Sequence, residues 1–322
     1  MSGDGTPPAL KGRVVLVSGG SGFLGSSLVQ KLLDYDVAEV RVLTRKTISS
    51  RTPLPMTADR RLRSMTGELS DQRALVRAVR GAEVIFHLAA MKSVELCENN
   101  PAQAINTNVL GTGALINAAL GEPRLERFIA ISSDKASRPT SVYGLTKALM
   151  ERKVAAADAR GDADFGTIRC GSLWGSTGSV LARWEDAVRT RSELPVSDPA
   201  MTRFVMLRAE AVDLILEAVA RKMGGGILCR VMPAYVLGDL AALWSEIHGL
   251  IQRVTGRRPG EKLHEDLVSD EEAPFTERHG ELFRIALDRR GSGTDPFNSA
   301  KARHLTRNEL RALLSGSAVN LA

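Results

Sequence analysis

Residues 13–25 read RVVLVSGGSGFLG. The run from Arg13 to Val17 is short, apolar and β-branched, the pattern of a buried strand. Ser18-Gly19-Gly20-Ser21-Gly22-Phe23-Leu24-Gly25 follows at once, and Phe23 to Leu33 reads as a helix. Each spaced glycine meets a physical need. Gly19 permits the tight turn, Gly22 lets the backbone approach a pyrophosphate, and Gly25 lets the helix pack close to the sheet. The helix N-terminus then faces phosphate charge. A glycine-rich loop alone is weak evidence. With a strand before it and a helix after it, the loop reads as a dinucleotide-binding turn in which Ser21, Phe23 and Leu24 also line the ligand.

The alternation continues outward. Glu39 to Leu43 is a second strand, and Thr44, Arg45 and Lys46 stand at its end. An acid at that point would hydrogen-bond the ribose diol of NAD. Two cations instead suit a 2′-phosphate, so NADP is expected over NAD. Arg61 to Met65 is a third strand. Gly67-Glu68-Leu69-Ser70-Asp71 follows as an adenine-side loop, with Asp71 as N-cap of a helix from Gln72 to Val79. Glu83 to Leu88 is a fourth strand, and the small Ala89 and Ala90 after Leu88 would let a cofactor lie against the backbone. Pro101 to Leu120 reads as a helix containing Asn108. Phe128 to Ile131 and Phe165 to Cys170 are further strands. The pattern predicts an α/β protein: a doubly wound, parallel Rossmann sheet with a smaller α/β substrate lobe on its C-terminal side. The expected boundaries are a loose tail over 1–12, the dinucleotide-binding domain over 13–170 with 205–225 packing back on it, and the lobe over 171–204 and 226–322.

Residues 132–147, SSDKASRPTSVYGLTK, follow the fifth strand and lead into a helix. Ser133, Asp134 and Lys135 therefore stand at a strand's carboxyl end, where ligands of such sheets bind. Tyr143 and Lys147, four apart, share a helix face. A tyrosine of pKa ~10 is a poor base at neutral pH, and a nearby ammonium pulls that value down. Ser133 can hold a substrate hydroxyl against the phenol. Such a trio removes an alcohol's proton while a nicotinamide cofactor takes its hydride. Tyr-x-x-x-Lys is common on ordinary helices, and it gains weight here from the upstream glycine turn.

Composition excludes several classes. The 322 residues are 43% hydrophobic and 25% charged, ordinary for a soluble globular protein. No apolar run approaches the ~20 residues of a membrane span. The N-terminus lacks the apolar core of a signal peptide. Cys97, Cys170 and Cys229 are scattered and odd in number, which argues for a reducing, cytoplasmic setting and against a disulfide framework or a metal site. The net charge of +6 suits anionic small ligands. Aromatics to stack bases are few, so no nucleic-acid partner is expected.

The glycine turn, His87-Leu88-Ala89-Ala90, Asn108 and Tyr-x-x-x-Lys together resemble the extended short-chain dehydrogenases/reductases. MKSVELCENNPAQAINTNVLGTGALINAA (91–119), SSDKASRPTSVYGLTK, DPAMTRF (198–204) and RPGEKLHE (258–265) narrow the likeness. They are similar to the short soluble UDP-N-acetylglucosamine 4,6-dehydratases that also invert C5. FNSAKARHLTRNELRALL (297–314) matches more weakly.

The resemblance implies an NADP-dependent dehydratase acting on a nucleotide sugar, a UDP-sugar above others, in a homo-oligomer without membrane contact. Tyr143, with Ser133 and Lys147, would oxidise C4. Lys135 would take the C5 proton, and Asp134 would protonate the departing C6 hydroxyl. Tyr143 and Lys147 would also touch the cofactor. Lys92, Ser172 and Val180 would line the sugar nucleotide, Arg203 and Arg258 would pair its diphosphate, and Glu261 would bind the ribose. The chain departs from the family at Ser133, usually Thr, at Ser172, usually Asn, and at Glu95, usually Pro. A 4-epimerase and a non-catalytic nicotinamide-binding regulator are the alternatives.

Overall fold

The computed structural model describes residues 7–45, 59–176 and 178–316; Lys46 lies outside them. In chain order the first strands are β1 (Val14–Ser18), β2 (Glu39–Thr44), β3 (Leu62–Thr66), β4 (Val84–His87), β5 (Arg127–Ser133) and β6 (Asp164–Cys170). After them come β7 (Ser172–Leu173), β8 (Leu194–Val196), β9 (Thr202–Met206), β10 (Ile227–Arg230) and β11 (Ala234–Val236). The last are β12 (Gln252–Val254), β13 (Asp266–Val268), β14 (Thr276–His279), β15 (Leu282–Ile285) and β16 (Phe297–Asn298). The helices are α1 (Phe23–Leu33), α2 (Gln72–Val79), α3 (Val94–Asn99), α4 (Pro101–Ile105), α5 (Thr112–Leu120) and α6 (Val142–Asp158). The C-terminal half adds α7 (Val180–Thr190), α8 (Arg208–Val219), α9 (Leu237–His248) and α10 (Arg307–Leu314).

The main sheet has the order β14-β15-β10-β6-β5-β4-β1-β2-β3. From β3 through β10 every pairing is parallel, and β15 and β14 close that edge antiparallel. All residues of β4 and β6 are buried, as a sheet covered on both faces requires. Leu28 and Leu32 of α1 and Leu214 and Ile215 of α8 join one core. Leu75 of α2, Leu115 of α5 and Met150 and Val154 of α6 join a second, with Phe128 and Phe165 stacked at 5.0 Å within it. Each such side chain stabilises the fold by about 1.5–3 kcal/mol. A third core of Trp184, Leu240, Trp244 and Leu310 belongs to the smaller lobe. Among the described residues no helix is long and apolar enough to cross a membrane.

Three features differ from expectation. The main sheet takes β10, β14 and β15 from the segment assigned to the lobe, because Ile227 and Leu228 pair with β6. The tail is shorter than 1–12: Leu10 is fully buried, and Gly12 N donates to Asp36 O at 2.6 Å. The helix expected over 101–120 is interrupted by a π-helical turn, Asn106–Gly111. Such wide turns cluster at functional sites. Here the turn carries Asn108, whose amide exchanges hydrogen bonds with Met91 N and O and donates to Thr146 Oγ1. The loop after β4 is thereby tied to α6.

Candidate active site

Strand order reverses between β1 and β4, and a cavity of about 2000 Å³ opens at the carboxyl ends of the strands there. Single-ligand pockets span roughly 300–1,000 Å³, so this one has room for two ligands side by side.

The glycine turn forms one wall. Gly19 has φ +73°, a conformation that favours glycine, and a Cβ there would lie 2.7 Å from Ala89 N. A Cβ on Gly25 would lie 2.3 Å from Gly19 O. Helix α1 starts at Gly22 with no side-chain cap, which leaves its first N–H groups for a ligand. Ser21, Phe23, Leu24, Thr44, Arg45, Glu68, Leu69, Leu88, Ala89 and Ala90 line the same cavity. This wall fits a dinucleotide: a tight turn, an open helix N-terminus and a basic end.

Beyond it, β5 ends at Ser133 and the chain makes a 3-10 turn, Asp134–Ala136. Gly144 lets α6 press against that turn; a Cβ there would lie 2.3 Å from Lys135 O. The N-terminus of α6 is fixed by Ser141, which accepts from Gly144 N, and by Glu98, which accepts from Val142 N at 2.7 Å. Tyr143, Lys147, Asp134, Ser137, Glu151 and Arg169 are all buried. Ser137 Oγ donates to Glu272, which together with Glu151 pairs the fully buried Arg169 at 2.8 Å. Burial pushes the Glu272 carboxyl up, but Arg169 outweighs it and holds it at about 2.

The electrostatics reverse one expectation. Burial pushes the Tyr143 phenol up, and the cation acting on it most strongly is Lys135, assisted by a Ser133 hydrogen bond. Lys147 instead donates to Ile131 O at 2.6 Å, and burial lowers its ammonium to about 8. The phenol's net shift is upward, because desolvation exceeds the help from Lys135.

Lys135 Nζ donates to Asp134 Oδ1 at 3.2 Å and stands 3.2 Å from Glu265 Oε1. Ser133 Oγ also donates to Asp134 Oδ1, at 2.8 Å. Asp134 Oδ2 and Glu265 Oε2 are buried without a hydrogen-bond partner, and both residues line the cavity.

Lys92, Ser172, Val180, Arg203, Arg258 and Glu261 line the cavity too, with Lys92 Nζ 5.9 Å from the Phe23 ring centre. Arg203 differs from expectation. Its Nη1 donates to Thr202 O and Leu263 O, its Nη2 to Lys262 O, and its Nε faces Glu265 at 3.6 Å. Little of that guanidinium is left for phosphate oxygens. Arg258 pairs with Glu261 at 2.9 Å and Glu95 at 3.3 Å. Glu95, the departure from the family's Pro, thus reaches across to the C-terminal segment.

Glu265 and Arg183 are among the cavity residues that escaped the sequence reading. Glu265 ends the quoted RPGEKLHE, but nothing local links it to Lys135. Arg183 sits on α7 and lines the cavity beside Arg258, where burial and the Arg258 charge lower its pKa. In the sequence it looks like a solvated helix arginine.

Known proteins resemble most of the chain. The family model described as polysaccharide biosynthesis protein matches residues 15–287. A UDP-glucose 4-epimerase of Rickettsia canadensis is 30% identical over 326 residues, covering 94% of this chain and 95% of that protein. The X-ray structure of Pen from Bacillus thuringiensis superposes with a TM-score of 0.87 at 29% identity, over 95% of this chain and 98% of that one. DesIV, the dTDP-glucose 4,6-dehydratase of Streptomyces venezuelae solved with NAD and TYD, gives a TM-score of 0.72 at 26% identity. It covers 78% of this chain and 86% of its own.

Proposed function

We propose that this chain, which belongs to the polysaccharide biosynthesis protein family, is a nicotinamide-dependent nucleotide-sugar 4,6-dehydratase. The observation that carries the reading is the Asp134–Lys135 pair beside Tyr143. Oxidation at C4 needs only the hydroxyls of Ser133 and Tyr143 and a cofactor. Elimination needs a second proton taken from C5 and one delivered to the C6 hydroxyl, and an amine next to a carboxyl offers both. An exposed Asp–Lys turn pair would be worth ~0–1 kcal/mol and mean little. Here the Asp134 side chain is 1% exposed and the Lys135 side chain 22%.

A nicotinamide held by the glycine wall supplies hydride acceptance from C4 and its return to C6. The chain's own groups handle the protons. Tyr143 takes the C4 hydroxyl proton with Ser133 holding that hydroxyl. Lys135 takes the C5 proton, and Asp134 gives a proton to the departing C6 oxygen, which leaves as water. Lys135 then returns a proton to C5, and the proton on Tyr143 replaces it. The product is a 4-keto-6-deoxy sugar, with C5 retained when Lys135 returns the proton and inverted when a group on the opposite face delivers it instead. UDP-N-acetylglucosamine or a related NDP-hexose is the proposed substrate. Incubation of the protein with UDP-N-acetylglucosamine and NADP+ should give a product lighter by one water. A product of unchanged mass would favour the 4-epimerase reading, which the Rickettsia relative supports.

Arg183 and Arg258 are proposed to pair the diphosphate, with Glu261 at the ribose and Arg203 serving the protein's own backbone. Arg258→Ala is expected to weaken nucleotide-sugar binding by about 1.5–3 kcal/mol, one charged hydrogen bond, and to leave cofactor binding unchanged. Calorimetric titration with UDP checks this; equal affinities would move Arg258 to the solvent.

NADP is proposed over NAD because Thr44 and Arg45 line the cavity at the end of β2 and the sequence has no carboxylate at 44–46. Titration of nicotinamide fluorescence should give a lower Kd for NADPH than for NADH. Equal values would remove the preference.

A further inference from the structure

We infer that Glu265 is the positioning residue of the elimination base: it pins the Lys135 amine against Asp134 and sets how firmly that amine keeps its proton. This rests on the dehydratase reading for its catalytic meaning, but the contact itself is geometric. Lys135 Nζ is 3.2 Å from both Asp134 Oδ1 and Glu265 Oε1. A lysine has a long stem with costly rotamer freedom. One carboxylate leaves the amine able to pivot, whereas two on different segments fix it.

Glu265 is itself held rigidly. Its side chain is 3% exposed. Its backbone N donates to Ser299 Oγ at 2.9 Å, and Ser299 N returns a bond to Glu265 O at 2.8 Å. Ser299 is bonded in turn to Thr202 of β9. The second carboxylate therefore comes from the C-terminal segment just before β13, while Asp134 and Lys135 come from the end of β5.

Charged and titratable groups approach Lys135 from every packed element. Asp134 lies on its own turn, Glu265 precedes β13, Arg203 comes from β9, Tyr143 from α6 and Tyr235 from β11. Cys170 at the end of β6 faces Asp134, and Lys262 lies 3.8 Å from Glu265. Burial pulls the Lys135 ammonium down, but Asp134 and Glu265 outweigh it and hold its pKa above that of an ordinary lysine. Burial pushes Glu265 up, and Lys135, Arg203 and Lys262 outweigh that in turn, so it stays a carboxylate.

The consequence concerns how the base is made ready. An ammonium cannot take a C5 proton. Transfer of its proton along the bond to Asp134 Oδ1 gives a neutral amine and a carboxylic acid together, with none lost to solvent. The amine then forms an N–H bond as the C5–H bond breaks. That electron pair becomes the C5–C6 double bond, and the C6 oxygen leaves as water with the Asp134 proton. Glu265 stays ionised throughout and stabilises the ammonium that results.

The test reads Lys135 directly in the full chain. ¹⁵N-lysine spectra, with the signal assigned through Lys135→Arg, should show a wild-type ammonium that persists above the ~10.4 of a free lysine. In Glu265→Gln the titration should fall by about 1–2 pH units, the effect of losing one adjacent opposite charge. Glu265→Asp keeps the charge but withdraws it from the amine, and should shift the titration the same way by less. The Asp variant also serves if the Gln variant does not fold. In turnover the pH profile for water loss should move to lower pH in Glu265→Gln, with KM within about twofold, and Glu265→Asp should restore part of the shift. A Lys135 titration unchanged in either variant overturns the inference. Failure of the wild type to release water from any NDP-hexose would instead overturn the dehydratase reading, while the titration still decides the role of Glu265.

Discussion

Lys135→Ala is expected to cut water loss by about 10²–10⁴-fold, the usual contribution of a positioned base, while substrate still reduces the bound nicotinamide. The two effects separate because oxidation and elimination remove different protons. They do not separate completely. Lys135 is the strongest cation acting on the Tyr143 phenol and favours its ionised form, so its loss should also slow nicotinamide reduction. The substitution also leaves Asp134 and Glu265 buried without the ammonium between them. Breaking a buried pair costs about 3–5 kcal/mol, so the variant should unfold at lower denaturant. The measurement is nicotinamide absorbance after one mixing with substrate, alongside product mass. Water loss at the wild-type rate would exclude Lys135 as the base.

Tyr143→Phe should stop the cycle earlier, with no reduced nicotinamide on mixing and a fall of about 10²–10⁴-fold or more in overall rate. The phenol is held protonated by burial in the free protein. Its proton must therefore leave to solvent before the phenolate can take the C4 hydroxyl proton, and the rate of nicotinamide reduction should rise with pH across the neutral range. The fold should tolerate the change, since the ring stays in its pocket against Cys97 and Ala104. Reduced nicotinamide at the wild-type rate in this variant would remove Tyr143 from the oxidation step. Together the two variants divide the cycle, with one blocked before the ketone and the other after it.

The parallel sheet was legible because its signals are local. A strand's short apolar run, the turn at Gly19 and the N-cap at Asp71 each depend on a few neighbouring residues. Asp71 Oδ1 does accept from Ala74 N at 3.0 Å. The strands β10, β15 and β14 at one end of the sheet were not legible. Four apolar or mixed residues look alike whether they pair with β6 or with another short strand in a lobe. The π turn at Asn106–Gly111 was hidden for a similar reason: a helix-forming run does not announce one wide turn.

At the candidate site, sequence alone determined which chemical groups arrive together at the end of β5: Ser133, Asp134 and Lys135 by adjacency, Tyr143 and Lys147 by helix spacing. Tertiary structure decided what those groups are paired with. It gave Lys135 a second carboxylate from residue 265 and turned Lys147 onto Ile131 O. It also committed Arg203 to backbone carbonyls and brought Arg183 beside Arg258. The reason is physical. Backbone conformation is set by neighbours along the chain, whereas the partners of a desolvated charge are set by which distant segments the cores press together, and no local pattern records that choice.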